Sequence, residues 1–328
     1  MKMSSIVSVA SRFPNICREL QKILPSVSFH QVDDIEKDEQ FFKSNVIVGD
    51  YHLLGPHIYN LTNARWIQGT MAGIDALLTH IKPDQPPPFP ISRFSGKHFG
   101  HLIGEYVVAN IINHERNMFE VKENQRKQQW IVEGKNKEPQ ILICEDFEFY
   151  GSSNFGYGRR SAIDLKKHRH ISRYFNKDGL IVFLQSCDYI VNILPSTMET
   201  RGLLNGNVLE NCKGRGVVFI NVGRGSIISE ETLVKAVNEE WLSGAILDVF
   251  EREPLREESP LWKMPNVSIH FSSCLRSVSK AKDIAEQFKE NLQLFQQNLP
   301  IPMTTRVFQG LLEMCVVVRI KLIFTLYS

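Results

Sequence analysis

From Lys137 onward the chain repeats one pattern that leaves few folds open: a short, uninterrupted apolar run followed by a helix-like stretch. The runs are Gln140-Ile141-Leu142-Ile143-Cys144, Tyr189-Ile190-Val191-Asn192-Ile193-Leu194, Val217-Val218-Phe219-Ile220, Ala245-Ile246-Leu247 and Val267-Ser268-Ile269. A strand with one wet face alternates apolar and polar residues, whereas a strand covered on both faces does not. The pattern therefore predicts an α/β architecture with a parallel, doubly covered sheet. The stretch from Ser229 to Val237 supports it, with an N-cap serine, two early acids and Gly244 as terminator. A last helix is predicted from Ala281 to Phe295, returning to the first domain.

The first hundred residues read as short strands and helices. Val46-Ile47-Val48-Gly49 is strand-like, Ile74 to Leu78 is helical, and residues 83–90 form a stiff proline-rich loop. From His101 to Gln129, Leu102, Val107, Ile111, Ile112, Met118 and Phe119 recur at helical spacing and predict one long helix. A chain of 328 residues has room for two domains.

Charge excludes some functions. Lys and Arg number 38 against 36 Asp and Glu, which gives no reason to expect a nucleic-acid partner. Cys17, Cys144, Cys187, Cys212, Cys274 and Cys315 are scattered without a CxxC, as expected of reduced thiols in a cytoplasmic protein. The start lacks the apolar stretch of a secretory signal. No HExxH, GxSxG or GxxxxGK[ST] occurs, and no acidic cluster has metal spacing. The tail 315–328 is apolar but holds Arg319 and Lys321, and is too short for the roughly 20 apolar residues that a membrane span needs. Three readings compete for it: a strand added to the small domain, a partner-binding tail, or an aberrant reading-frame extension, the last being favoured.

Two segments place charge at the ends of apolar runs, where ligands bind in open α/β sheets. One is Asn221-Val222-Gly223-Arg224-Gly225; the other runs from Asp248 through Glu253-Pro254 to Leu255. With Trp66 to Asp75, Pro86 to Pro90 with Arg93-Phe94, Gly104-Glu105-Tyr106, His114-Glu115-Arg116, Leu194-Pro195-Ser196-Thr197 and Pro260 to Val267, they carry a resemblance. The chain resembles the D-isomer-specific 2-hydroxyacid dehydrogenases, in particular their glyoxylate/hydroxypyruvate reductase-like members, from about Val48 to Phe308.

That resemblance implies two Rossmann-like parallel-sheet domains, with a cofactor domain over 101–289 inserted in a discontinuous substrate domain of 1–100 plus 290–314, and 315–328 as an extension. It implies NADP or NAD as cofactor, a small 2-oxo or 2-hydroxy acid as substrate, and a homodimer formed through the long helix, with no membrane or metal involved. By motif, Arg224 would bind the substrate carboxylate and carbonyl, a role that suits a planar guanidinium. Glu253 would hold a catalytic histidine, which acts as general acid near neutral pH. Met71, Ala72, Gly73 and Arg93 would receive the substrate. Pro195, Val222, Gly223 and Gly151 would bind the cofactor, Asp248 would lie near the nicotinamide amide, and Arg159 and Arg160 would receive a 2′-phosphate. The two arginines would favour NADP; otherwise they are solvated loop residues.

The chain departs from the family twice. A dinucleotide domain opens with a strand, GxGxxG and a helix whose N-terminus holds the pyrophosphate. With Gly151 as third glycine, the first two positions fall on Asp146 and Glu148. Their side chains block close approach, and like charges ~4 Å apart repel by about 4 kcal/mol at an effective dielectric of ~20. The unit also lacks roughly ten residues after Gly151. The second departure is the histidine. Its position falls on Ser272 counted from Asn266, or on Cys274 counted back from Ser279. His270 keeps the same face as Ser272, about 7 Å back along the strand, and is the substitute candidate; otherwise it is satisfied within the sheet. Cys274 is a poor acid, since a thiol has a pKa of about 8.5. Three functional readings follow: a reductase of a small 2-oxo acid, a catalytically impaired homologue that keeps the fold and possibly the dimer, or a truncated or mis-spliced product of an active enzyme.

Overall fold

The computed structural model describes residues 6–82, 84–94, 97–130, 144–145, 148–149, 153–158, 173–270, 280–301, 304–305 and 317–319. The chain divides into two compact units, Met1–His101 with Arg276–Leu311, and Leu102–Leu275 with Leu312–Ser328.

The first unit begins with β1 (Val7–Ala10), α1 (Ile16–Ile23), β2 (Phe29–Gln31), α2 (Glu39–Lys43) and β3 (Val46–Gly49). Next come α3 (Tyr51–Leu54), β4 (Trp66–Gly69), α4 (Asp75–Leu78) and β5 (Ile91–Ser92). The chain then passes through α5 (Lys97–Glu115) and α6 (Met118–Arg126) into the second unit. That unit holds β6 (Cys144–Glu145), β7 (Glu148–Phe149), β8 (Ser153–Tyr157), β9 (Arg173–Phe175), α7 (Leu180–Leu184), β10 (Tyr189–Asn192) and β11 (Val218–Asn221). It continues with α8 (Glu230–Asn238), β12 (Gly244–Leu247) and β13 (Val267–Ile269); α9 (Lys280–Gln296) and β14 (Thr304–Thr305) return to the first unit, and β15 (Val317–Arg319) to the second.

In the first unit β2-β1-β3-β4-β5 are parallel, and β14 closes the edge antiparallel to β5. One face packs Val7, Val9, Val46, Val48 and Trp66 against Ile16 and Leu20 of α1 and Phe288 of α9. Trp66 stacks on Phe288 at 5.2 Å and 4°. The other face packs Ile47, Ile67 and Ile91 against Phe41, Leu54 and Leu77. Both faces are covered, which is why these strands read as continuous apolar runs.

In the second unit β10-β11-β12-β13 form a parallel sheet in consecutive order. Val107 and Ile111 of α5 cover Val191, Val218, Ile220 and Ile246 on one face. Leu184 of α7 and Leu233, Ala236 and Val237 of α8 cover Ile190, Phe219, Ala245 and Leu247 on the other. Phe155, Tyr157 and Phe175 of β8 and β9 join that same core. The expected α/β fold with two parallel sheets is therefore present, one sheet in each unit.

Three local expectations are corrected. The helix predicted over 101–129 is two helices, broken at Asn117, which takes the left-handed region at φ 48°. The apolar period runs on across the break, yet Met118, Phe119 and Val121 are 50, 56 and 57% exposed, so the pattern there does not report a core. Gly244 does not end α8; the helix stops at Asn238, and Gly244 opens β12. The segment 315–328 contributes a strand, but to the second unit: Val317, Val318 and Arg319 pair antiparallel with Phe155, Asn154 and Ser153. β15 also comes within 8 Å, Cα to Cα, of β10, and so lies between β8 and the four-stranded sheet.

Of the predicted strand 140–144, residues 140–143 lie outside the described residues. Cys144 and Glu145 pair only with Phe149 and Glu148 among the described residues, in a two-stranded antiparallel ribbon. Only residues 150–152 separate β7 from β8.

Candidate active site

The site residues of the second unit gather at the carboxyl ends of β10, β11, β12 and β13. Two buried amides shape this edge. Asn192 ends β10 and Asn221 ends β11, at 4% and 1% exposure. Asn192 Nδ2 donates to Asn221 Oδ1 at 2.7 Å, and Asn192 Oδ1 accepts from the Leu194 N–H at 3.0 Å. Asn221 Oδ1 also accepts from the Gly223 N–H at 3.2 Å, and Asn221 Nδ2 donates to the Arg224 carbonyl at 3.3 Å. The loop Val222-Gly223-Arg224 is thus held by side chains that satisfy each other, as buried amides must be.

Glycine is required twice in this loop. A Cβ on Gly223 would lie 2.9 Å from the Ile193 backbone, and one on Gly225 would lie 1.8 Å from the Phe250 carbonyl. Such close approach brings the loops after β11 and β12 together. Arg224 is half-buried at this junction, with Nη1 donating to the Gly223 carbonyl at 2.8 Å. The loop after β10 is tied to it as well. Ser226 Oγ donates to Ser196 Oγ at 2.9 Å, and Thr200 Oγ1 donates to the Pro195 carbonyl at 2.6 Å.

Asp248 follows β12 at 2% exposure, its N–H donating to the Asn221 carbonyl at 2.9 Å. His270 follows β13, its N–H donating to the Leu247 carbonyl at 2.8 Å. Its Nδ1 meets the hydroxyl of Tyr106 on α5 at 2.5 Å, with the two rings edge-on at 90°. Burial pushes the imidazole below its ordinary pKa, and the Asp248 carboxylate works against that shift. Glu253 stands on the exposed loop after β12, where its Oε1 accepts from the Phe250 N–H at 3.0 Å. The structure thus couples His270 electrostatically to Asp248, and by a hydrogen bond to a tyrosine that sequence motifs did not single out.

In the first unit, Met71, Ala72 and Gly73 form a half-buried loop after β4, with the Met71 carbonyl accepting from the Phe94 N–H at 3.1 Å. A buried carboxylate braces the neighbouring strand end: Asp50 accepts from Ser11 Oγ at 2.6 Å, the Arg12 N–H at 2.8 Å, and Thr70 Oγ1. Arg93 is half-buried near Tyr51, whose phenol is pushed upward by burial while the guanidinium draws it down. Gly151, Arg159, Arg160, Ser272 and Cys274 lie outside the described residues. Among the described residues no cluster of His, Cys, Asp or Glu has metal-site geometry, and no helix is long and apolar enough to cross a membrane.

Tyr106, Asn192 and Asn221 are the parts that sequence reasoning missed. Each lies within a segment that was noticed, but nothing in a tyrosine on a helix or an asparagine at the end of an apolar run announces its partner. A polar residue closing an otherwise apolar strand, at both Asn192 and Asn221, was the available signal.

Comparison with known proteins adds the following. Residues 153–270 match the profile of the D-isomer specific 2-hydroxyacid dehydrogenase NAD binding domain. The match opens on the first residue of β8 and closes on His270, leaving out the segment where a glycine loop would stand. A glyoxylate/hydroxypyruvate reductase A from Citrobacter koseri is 29% identical over 222 residues, 62% of this chain and 70% of that protein. A D-isomer specific 2-hydroxyacid dehydrogenase family protein from Aeromonas salmonicida shares the fold at a TM-score of 0.74, with 24% identity, over 92% of this chain and 98% of that one. An NADPH-dependent glyoxylate/hydroxypyruvate reductase from Sinorhizobium meliloti, solved with NADP and sulfate, does so at 0.73, with 23% identity and the same coverage. On motifs, profile and fold together, the chain is similar to the D-isomer-specific 2-hydroxyacid dehydrogenases, in particular to glyoxylate/hydroxypyruvate reductases.

Proposed function

We propose that this chain is an oxidoreductase that reduces a small 2-oxo acid, of the glyoxylate or hydroxypyruvate type, to the 2-hydroxy acid. The observation that carries the reading is the clasped loop Val222-Gly223-Arg224, which holds a half-buried arginine at the same strand-end edge that carries the buried Asp248. Arg224 binds the carboxylate of the acid bidentately. By motif the first unit offers Met71, Ala72, Gly73 and Arg93 as its substrate-binding residues; in the second, His270 supplies the proton and Glu253 belongs to the same set. NADP or NAD supplies the hydride when bound; the relative from Sinorhizobium meliloti is described as NADPH-dependent.

The residues present suit one end of such a cofactor and not the other. Pro195, Val222, Gly223 and Asp248 suit a nicotinamide at the strand ends. The pyrophosphate end lacks its usual sequence, because Asp146 and Glu148 stand at the first two glycine positions and only three residues separate β7 from β8. Arg159 and Arg160 are the remaining candidates for the phosphates, with Gly151 before them. That gap favours a second reading, a catalytically impaired homologue that keeps the fold.

Titration with NADPH, followed by quenching of the tryptophans, separates the two. Binding followed by loss of reduced-cofactor absorbance on adding glyoxylate or hydroxypyruvate supports the reductase. An intact fold with no binding at about millimolar cofactor, weaker than −4 kcal/mol, leaves the impaired homologue. A homodimer and a cytoplasmic location belong to either reading. Support for the dimer comes from Ile112, Met118, Phe119 and Val121, large apolar side chains left open on α5 and α6.

A further inference from the structure

We propose that Tyr106 is the positioning residue of His270, fixing its ring so that Nε2 carries a proton, and is a hydrogen-bond donor, in both charge states. This rests on reading His270 as the group that faces the 2-oxo acid. The backbone of His270 is pinned by the sheet through its N–H to the Leu247 carbonyl at 2.8 Å. The ring is pinned from the helix side, where the Tyr106 hydroxyl meets Nδ1 at 2.5 Å and the rings stand at 90° with centroids 5.4 Å apart.

Tyr106 is itself held. It packs in the cluster of Val107, Ile111, Val191 and Val222, and its carbonyl accepts from Asn110 Nδ2 at 2.9 Å. Tyr106 therefore sits on a helix, and His270, one residue past β13, is held by its backbone bond to the end of β12.

Chemistry then sets the tautomer. A phenol is a good donor and an imidazole nitrogen a good acceptor, so in the neutral ring the O–H of Tyr106 donates to Nδ1. The ring proton must then sit on Nε2. When the ring takes up a second proton, it goes to Nδ1; the tyrosine hydroxyl turns and accepts from Nδ1–H. In neither resting state is Nε2 bare, and the ring supplies a proton from Nε2 only in its doubly protonated state. Burial favours the neutral ring, with Asp248 as the charged group that opposes it. Nε2 has no partner among the described residues. What it can receive is consequently an acceptor atom: the carbonyl or carboxylate oxygen of a small acid, not a hydroxyl that needs a base.

Nitrogen-15 NMR of the ring decides this without any need for turnover. The His270 signals are assigned by their loss in His270→Gln. The expected spectrum near neutral pH shows Nε2 protonated and Nδ1 as a hydrogen-bonded acceptor. In Tyr106→Phe, which keeps the packing ring, the pattern collapses to a mixture of tautomers. A wild-type ring with its proton on Nδ1, or a Tyr106→Phe spectrum unchanged from wild type, overturns the proposal. Oxamate, a non-reducible acid, tests the reading beneath it. Oxamate that shifts Nε2 in the wild type places a small acid at this ring. A fixed tautomer with no oxamate shift leaves Tyr106 as the positioning residue and sinks the view that His270 faces the acid.

Discussion

A single missing methyl group decides whether the loops after β11 and β12 can meet. At Gly225 even a methyl would enter the Phe250 carbonyl at 1.8 Å, and backbone cannot yield as a flexible side chain can. Gly225→Ala should therefore cost about 3 kcal/mol, the upper end of ordinary overpacking, read as a lower urea midpoint. Asn221→Ala should cost about 1–3 kcal/mol, because it strands the Gly223 N–H and leaves the Asn192 amide only its longer bond to the Arg224 carbonyl. The glycine was legible in the sequence as part of a motif, and so was Arg224. The asparagines were not, since their value lies in reaching each other across 29 residues of chain. His270 makes a prediction about pH. Burial lowers its folded pKa, so as pH falls the unfolded chain protonates first, and stability drops through about pH 6.5 until the folded ring also protonates. Urea midpoints at about pH 7.5 and 5.5 should differ more for the wild type than for His270→Gln.

Among the elements, the parallel strands were the most legible. Tyr189–Asn192, Val218–Asn221 and Gly244–Leu247 are apolar because helices cover both their faces, and that cause acts residue by residue. Helix α8 was legible for a local reason too: Ser229 accepts from the Thr232 N–H at 3.2 Å, so Ser229→Ala should cost about 1 kcal/mol in a urea titration. What failed were features set at long range. The break at Asn117 lies inside an unbroken apolar period, and the period misled because α6 buries none of its residues. β15 could not be foreseen, since its partner is Phe155, on the far side of a whole sheet in sequence. Deleting residues 315–328 should open the edge of β8 and raise aggregation, seen as light scattering at a protein concentration that keeps the full chain clear.

At the scale of the whole molecule, both units are assembled from separated stretches of chain, so neither can be cut out as one continuous piece. The proposed homodimer predicts that Phe119→Asp, a charge placed on a residue 56% exposed, shifts the mass from dimer to monomer in light scattering without lowering the urea midpoint. An unchanged mass would remove that face from consideration. The pairing of β15 with β8 also sets a schedule. About 160 residues of chain separate Tyr157 from Val317. At about 5–20 residues per second, a ribosome needs roughly 8–30 s to make them. Throughout that interval β8 waits on the nascent chain with one edge unpaired, open to any other extended segment that reaches it first. The second unit is thus finished by the last of its strands to be translated, and its safe arrival depends on what keeps that edge occupied in the meantime.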